Sequence, residues 1–248
     1  MSISITTHLP ETAITNFVDS FWALHNTSDF GKNIIILPDG RIDLLFSKST
    51  NEPYHIMLLG ISTQPEQVVI APNSVTFAIS LKLPAIEYIL KSSIADILDN
   101  AKNVTQIFSH IDETALDDFD TFCKNATKRI KELIPENLDK RKIKLFDLIY
   151  ASKGNIAITE LSKKVFWSSR QINRYFNQQL GIPLKTYCNI VRFRASFEQL
   201  KNGKLFPEGN YTDQSHFIKE IKKLSGVLPK DLYKNINDRF IQLTDLKS

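Results

Sequence analysis

The 248-residue sequence predicts an α+β protein: a β-rich barrel or sandwich with some helices, followed by an all-α half. Three observations predict it. Between Gly31 and Leu83, short apolar runs alternate with Gly, Pro and Asn, the punctuation of an antiparallel sheet. From Arg141 onward, apolar residues recur at helical spacing. The charge also changes sign along the chain. Residues 1–139 carry 10 Lys+Arg against 18 Asp+Glu, whereas residues 140–248 carry 21 against 9.

In the acidic half, residues 10–24 place Ile14, Phe17, Val18, Phe21 and Trp22 at helix-like intervals, predicting a short helix or a packed entry segment. Strands over 33–37 and 41–46 flank Pro38–Asp39–Gly40, a turn in which proline presets φ and glycine takes the positive φ. Further strands are expected over 55–61, 67–71 and 75–83. Pro84 opens a helical stretch over 85–99. A longer helix over 112–134 aligns Leu116, Phe119, Phe122, Cys123, Ala126, Ile130 and Leu133 on one stripe, suited to a partner helix if exposed. The polar run 135–140, opened by Pro135, is the boundary between a domain at 1–135 and one at 141–248.

No catalytic chemistry is legible. His8, His25, His55 and His110 are scattered without a metal-ligand spacing, and no Gly-rich phosphate loop or nucleophile elbow occurs. Asp39, Arg41 and Asp43 cluster around the turn and are read as bracing it. Cys123 and Cys188 stand far apart without a CxxC neighbour, which argues against a disulfide scaffold or a zinc site and fits a reducing cytoplasm. Neither sits where an alkyl-transfer enzyme would place an activated thiolate. No stretch approaches a membrane span. The expectation is a cytoplasmic non-enzyme with no metal and no cofactor.

The basic half reads as successive helices. Residues 141–152 end at Lys153–Gly154–Asn155, and 157–165 form a second helix. Phe166–Trp167 is a turn, and Ser168 is the N-cap of a third. On that third helix Arg170, Asn173, Arg174 and Asn177 make one polar stripe, with Ser169 at its start, while Ile172, Phe176 and Leu180 form an apolar face. Helix, tight turn, helix with arginine and asparagine outward is a helix-turn-helix pattern, since both side chains fork onto purine edges. A long helix over 184–200 follows. A second unit begins at Asp213, with Phe217, Ile218, Ile221 and Leu224 apolar and Ser215, His216, Lys219, Lys222 and Lys223 opposite. Sliding the first unit by 45 positions superposes Gly181 on Gly226 and Ile172 on Phe217. Residues 202–210, where the second unit should have its scaffold helix, contain Gly203, Pro207 and Gly209, so no regular helix is expected there.

Over residues 141–236 the chain resembles the AraC/XylS family of bacterial transcription regulators. The resemblance rests on the segment 168–176, Gly181, Tyr187, Arg192–Phe193–Arg194–Ala195, Asp213–Gln214–Ser215–His216–Phe217, Gly226 and Pro229. It implies two helix-turn-helix units on a connecting helix, reading adjacent major-groove segments of double-stranded DNA. DNA contacts would come from Ser169, Arg170, Asn173, Arg174 and Asn177, then from Gln214, Ser215, His216 and Lys219. Segments 17–22 and 37–40 resemble the cupin-like domain often found ahead of such units, without its metal-binding histidines. The acidic half then senses a small-molecule effector or mediates self-association into a homodimer. The rival reading is a ligand- or partner-binding module whose basic half docks on an acidic protein.

Overall fold

Period-two alternation along the N-terminal strands sorts their side chains onto two faces, and each face acquires a different cover. The computed structural model describes residues 3–104, 108, 111–207, 211 and 213–243. Its strands are β1 (Ile3–His8), β2 (Val18–Asn26), β3 (Lys32–Ile36), β4 (Ile42–Ser49), β5 (His55–Leu59), β6 (Glu66–Ile70), β7 (Ser74–Leu81) and β8 (Ala101–Asn103). Six of them form an antiparallel sheet in the order β1-β2-β7-β4-β5-β8, and β3 pairs with β6 in a separate ribbon. The helices are α1 (Phe119–Leu133), α2 (Lys140–Ala151), α3 (Ile158–Val165), α4 (Ser169–Leu180), α5 (Leu184–Ala195), α6 (Phe197–Lys201), α7 (Gln214–Ser225) and α8 (Pro229–Lys234). The α+β class, sheet first and helices after, is as the sequence predicts.

One face of the sheet presents Phe21, Ala23, Leu44, Phe46, Phe77 and Ile79 to a core shared with α1. Phe122 of α1 sits edge-on to Phe46 and Phe77, with ring centroids 5.1 and 5.4 Å away. The stripe of α1 is therefore covered by its own chain: Phe122, Ala126 and Ile130 are fully buried, and no face is left there for a partner helix. The opposite face carries Trp22, Leu24, Asp43, Leu45 and Ser80 toward the β3–β6 ribbon, with a cavity between. The first core continues without a break into α2, α4 and α5 through Phe146, Phe176 and Tyr187.

Three local expectations yield to tertiary context. The helix-like spacing over 10–24 produces only a 3₁₀ turn at Thr12–Ile14, because residues 18–26 form β2 and bond to β1 on one side and β7 on the other. Two ladders outweigh a weak local pattern. The turn expected at Pro38–Asp39–Gly40 is present, with Gly40 at φ 73, and it carries the chain from β3 in the ribbon to β4 in the large sheet. The helix expected over 85–99 is reduced to a π-type turn at Ile86–Leu90, stopped by Lys91 in the left-handed region (φ 52). Four of its five residues are buried, so it lacks the solvated face of an amphipathic helix. The long helix over 184–200 breaks at Ser196, whose Oγ donates to the Phe193 carbonyl (2.6 Å). Residues 202–207 form no regular helix, as expected, and residues 208–210 of that stretch, like His110, lie outside the described residues. No helix among the described residues is long and apolar enough to cross a membrane.

Candidate nucleic-acid interface

The chemistry of Ser168 and Gly181 sets the ends of α4. Ser168 Oγ accepts from the Gln171 N–H (3.2 Å), and Gln171 Oε1 accepts from the Ser168 N–H (2.8 Å), a reciprocal capping box. Gly181 ends the helix in the left-handed region (φ 75). The preceding turn is held by Ser162 Oγ donating to the Trp167 carbonyl (2.6 Å), with Phe166 also left-handed (φ 56). Ser168→Ala is expected to cost about 1 kcal/mol. Urea unfolding would show the loss, with Ser168→Asn recovering most of it.

Ile172, Phe176 and Leu180 are buried beneath α4, and Arg170, Arg174 and Asn177 are exposed above it. Ser169 and Asn173 are half-buried at the edge, where Asn173 Nδ2 donates to the Ser169 carbonyl (3.2 Å).

α7 repeats this construction. Asp213 caps it by accepting from the His216 N–H (2.8 Å), and Gly226 closes it with φ 76. Both helices have 12 residues. Ser169 and Gln214 start them, Gly181 and Gly226 end them, and Leu184 and Pro229 open the next helices, each pair 45 positions apart. Gln214, Ser215 and Lys219 are exposed, while Phe217, Ile221 and Leu224 are buried. His216 does not share the outward face. It is half-buried, its ring is 5.8 Å from Tyr211, and its Nδ1 is sealed without a partner. With Asn173 it lines a cleft of about 620 Å³ between the two units, floored by Lys185, Asn189 and Arg192 of α5. Arg192 Nη2 donates to the Gly154 carbonyl (3.2 Å). A Cβ on Gly154 would lie 2.2 Å from the Cys188 carbonyl oxygen, so only glycine lets this turn seat on α5.

The acidic half grips the first unit from behind. Ser93 Oγ donates to the Gln178 carbonyl (2.7 Å) and the Ile94 N–H to the Gln179 carbonyl (3.0 Å), satisfying the otherwise open last turn of α4. Tyr175 donates to Glu87 (3.1 Å), which also pairs with Lys142 of α2. Tyr187 donates to the Gly40 carbonyl (3.1 Å). Tyr150 therefore donates to Tyr187 (3.2 Å) and accepts from the Leu83 N–H (3.2 Å).

At the centre of the joint, Asp19 of β2 takes Arg41 on one oxygen (2.7 Å) and Arg194 of α5 on the other (2.5 Å). Burial raises the Asp19 carboxyl, but the two guanidinium ions outweigh it and hold the group below the usual aspartate value. Arg41 is only 8% exposed and stacks over Tyr150, 5.0 Å from its ring centroid. The loop-bracing role expected of Asp39, Arg41 and Asp43 is thus too small: Arg41 joins the halves, and both carboxylates line the inner cavity. The burial of Arg41 and the half-burial of the two aspartates had no signature in so short a stretch.

That cavity, about 380 Å³, lies between the large sheet and the ribbon and is reached by Arg194 and by Ile241 and Gln242 of the C-terminal tail. Gln242 brackets Leu37, accepting its N–H (3.1 Å) and donating to its carbonyl (3.0 Å). Elsewhere, burial pushes the thiols of Cys123 and Cys188 up to about 12 and 11, so neither is a thiolate at neutral pH. Among the described residues no three His, Cys, Asp or Glu converge as a metal site.

Comparison with known proteins adds the following. A family described as a domain of unknown function, DUF6597, matches residues 6–103, within the β-rich half. No curated protein matches the chain. Among solved structures, the fold is similar to that of ToxT from Vibrio cholerae. One ToxT structure aligns with a TM-score of 0.43 and 13% identity, over 94% of this chain and 98% of that one. ToxT with an unsaturated fatty acid bound aligns with a TM-score of 0.38 and 14% identity, over 94% of each chain. ToxT bound to (E)-4-(8-methylnaphthalen-1-yl)but-3-enoic acid aligns at 0.41 and 15%, over 98% of each.

Proposed function

We propose that the chain is a sequence-specific DNA-binding transcription regulator of the AraC/XylS type. Residues 141–248 read DNA through two helix-turn-helix units, and residues 1–135 bind an effector or mediate dimerisation. The observation that carries this reading is the repeat of α4 and α7. They are two 12-residue helices 45 positions apart, each capped, each ended by a left-handed glycine, each with a buried apolar face. Polar side chains face outward on a half that carries 21 basic against 9 acidic residues, the charge that phosphate contacts need.

In this reading Arg170, Arg174 and Asn177 are the principal base readers of the first unit, with Ser169 and Asn173 beside them. Gln214, Ser215 and Lys219 serve the second. His216, turned toward the cleft, meets the phosphate backbone between the two groove segments rather than a base edge. The hydrogen bonds from Ser93 and Ile94 to the end of α4 supply a physical route by which the acidic half influences the first reading helix.

A binding-site selection on random duplexes with the full chain is expected to return a motif with two elements about one helical turn apart. Arg170→Ala and Arg174→Ala should each weaken the selected site by roughly 1–3 kcal/mol and relax specificity at one position. Lys222→Ala should instead weaken all sequences alike and lower the salt slope by about one. A folded protein that enriches no motif would sink the proposal and favour a basic surface that docks on an acidic protein.

A further inference from the structure

We propose that the cavity between the six-stranded sheet and the β3–β6 ribbon binds an amphiphilic organic ammonium ion. The cationic head lies between Asp39 and Asp43 beside the Trp22 indole, and the apolar part lies against Leu24, Ile34, Leu45 and Leu59. The inference rests on the effector-binding role proposed for the β-rich half.

Charge and burial give the cavity its sign. Among the described residues three carboxylates line it, those of Asp19, Asp39 and Asp43, against one cation, Arg194. That cation is not available to a ligand anion. Arg194 Nη2 is on Asp19 Oδ2 (2.5 Å), and Arg41, behind the wall, is on Asp19 Oδ1 (2.7 Å). Asp19 with its two arginines is thus self-contained, and among the described residues neither Asp39 nor Asp43 has an ion-pair partner of its own. Asp39 Oδ1 accepts the Arg41 backbone N–H (2.9 Å), a neutral donor. Asp43 receives hydrogen bonds from Ser80 and Trp22, yet its Oδ1 is sealed from solvent with no partner. A buried carboxylate with an unpaired oxygen is costly, and a cation held in the cavity against the Asp43 side chain offsets that cost through its charge, without a direct bond to the sealed oxygen. The indole adds a cation–π surface beside the same carboxylate.

The rest of the wall is mostly apolar, with Thr7, Ser20 and Gln242 its neutral polar members, so the ligand carries a hydrocarbon part, and about 380 Å³ suits a small molecule. The state of Asp43 fits this assignment. Burial and the charge of Asp39 push its carboxyl up to about 7, against the pull of Ser80, Trp22 and Arg41. A bound cation favours the ionised form, so binding displaces the proton from the neutral fraction and tightens as pH rises from 6 to 8. Among the described residues the other charged groups facing the cavity are Asp19, Asp39 and Arg194.

The test uses three ligands with one tail: octylammonium, octanoate and 1-octanol, titrated calorimetrically into the full chain at pH 6, 7 and 8. Octylammonium should bind at least tenfold more tightly than either other ligand, and more tightly at pH 8 than at pH 6. Asp43→Asn should weaken it at least tenfold and remove the pH dependence, and Asp39→Asn should weaken it severalfold while 1-octanol is unaffected. Circular dichroism confirms that each variant is folded, and a second carboxylate variant is at hand if one is not. Octanoate binding as well as octylammonium, no binding of octylammonium by the folded protein, or unchanged affinity in folded Asp43→Asn would each overturn the assignment. Failure of DNA reading would appear in the binding-site selection instead and leave this titration unchanged.

Discussion

Asp19→Ala is expected to lower the unfolding free energy by about 3–5 kcal/mol, because it strands two guanidinium ions rather than removing one contact. Arg41 is 8% exposed, and both it and Arg194 bond the same carboxylate. Losing Asp19 leaves Arg41 buried beside Tyr150 without a counter-charge, and releases the tie between β2 and α5. Adding Arg194→Met in the same chain should recover part of the loss, since it removes one of the two orphaned charges and leaves an apolar stem of similar length. The pH dependence has a definite sign. The folded carboxyl of Asp19 lies below the ordinary aspartate value, so its contribution is fully present above that value and is lost as pH falls through the folded one. Urea unfolding of wild type and variant should therefore differ most near neutrality and converge in strong acid. A loss under about 1 kcal/mol at pH 7 would show that the joint is worth no more than a surface ion pair.

Phe176→Ala should cost a similar amount, about 3–5 kcal/mol, for a different reason. Its ring is fully buried, with centroids 6.0 Å from Phe146 of α2 and 5.6 Å from Tyr187 of α5. Truncation leaves a cavity where α4 meets α2 and α5, and the three helices cannot all close on it. The loss appears in urea unfolding. Binding to selected and random duplexes should fall together, because the seat of α4 is damaged while its outward side chains are unchanged. Phe176→Leu, which keeps most of the volume, should cost markedly less. A variant that kept its stability but lost only sequence discrimination would contradict this account of the packing.

Features made within a few residues were legible in the sequence alone. Ser168 with Gln171, Asp213 three residues ahead of His216, and the glycines at 181 and 226 mark helix ends through bonds spanning three or four positions. The apolar face of α4 follows from its 3.6-residue period, and the 45-residue repeat follows from comparing two such periods. The alternation of β4, β5 and β7 announced strands, and Pro207 with its neighbouring glycine announced that α6 would not continue.

What tertiary structure alone decided depends on partners far along the chain. The helix-like spacing over 10–24 gives way where β1 and β7 bond residues 18–26 from both sides. Asp19 meets Arg194 across 175 positions, and Leu37 meets Gln242 across 205. No local period encodes such pairs. The turn at Asp39, Arg41 and Asp43 shows the limit most clearly, because exposed and buried charges are written with the same letters. Only the packing of β2 and α5 around that turn turns one arginine into a joint between halves and two aspartates into a cavity wall, since burial, not residue type, determines what a charge must find as its partner.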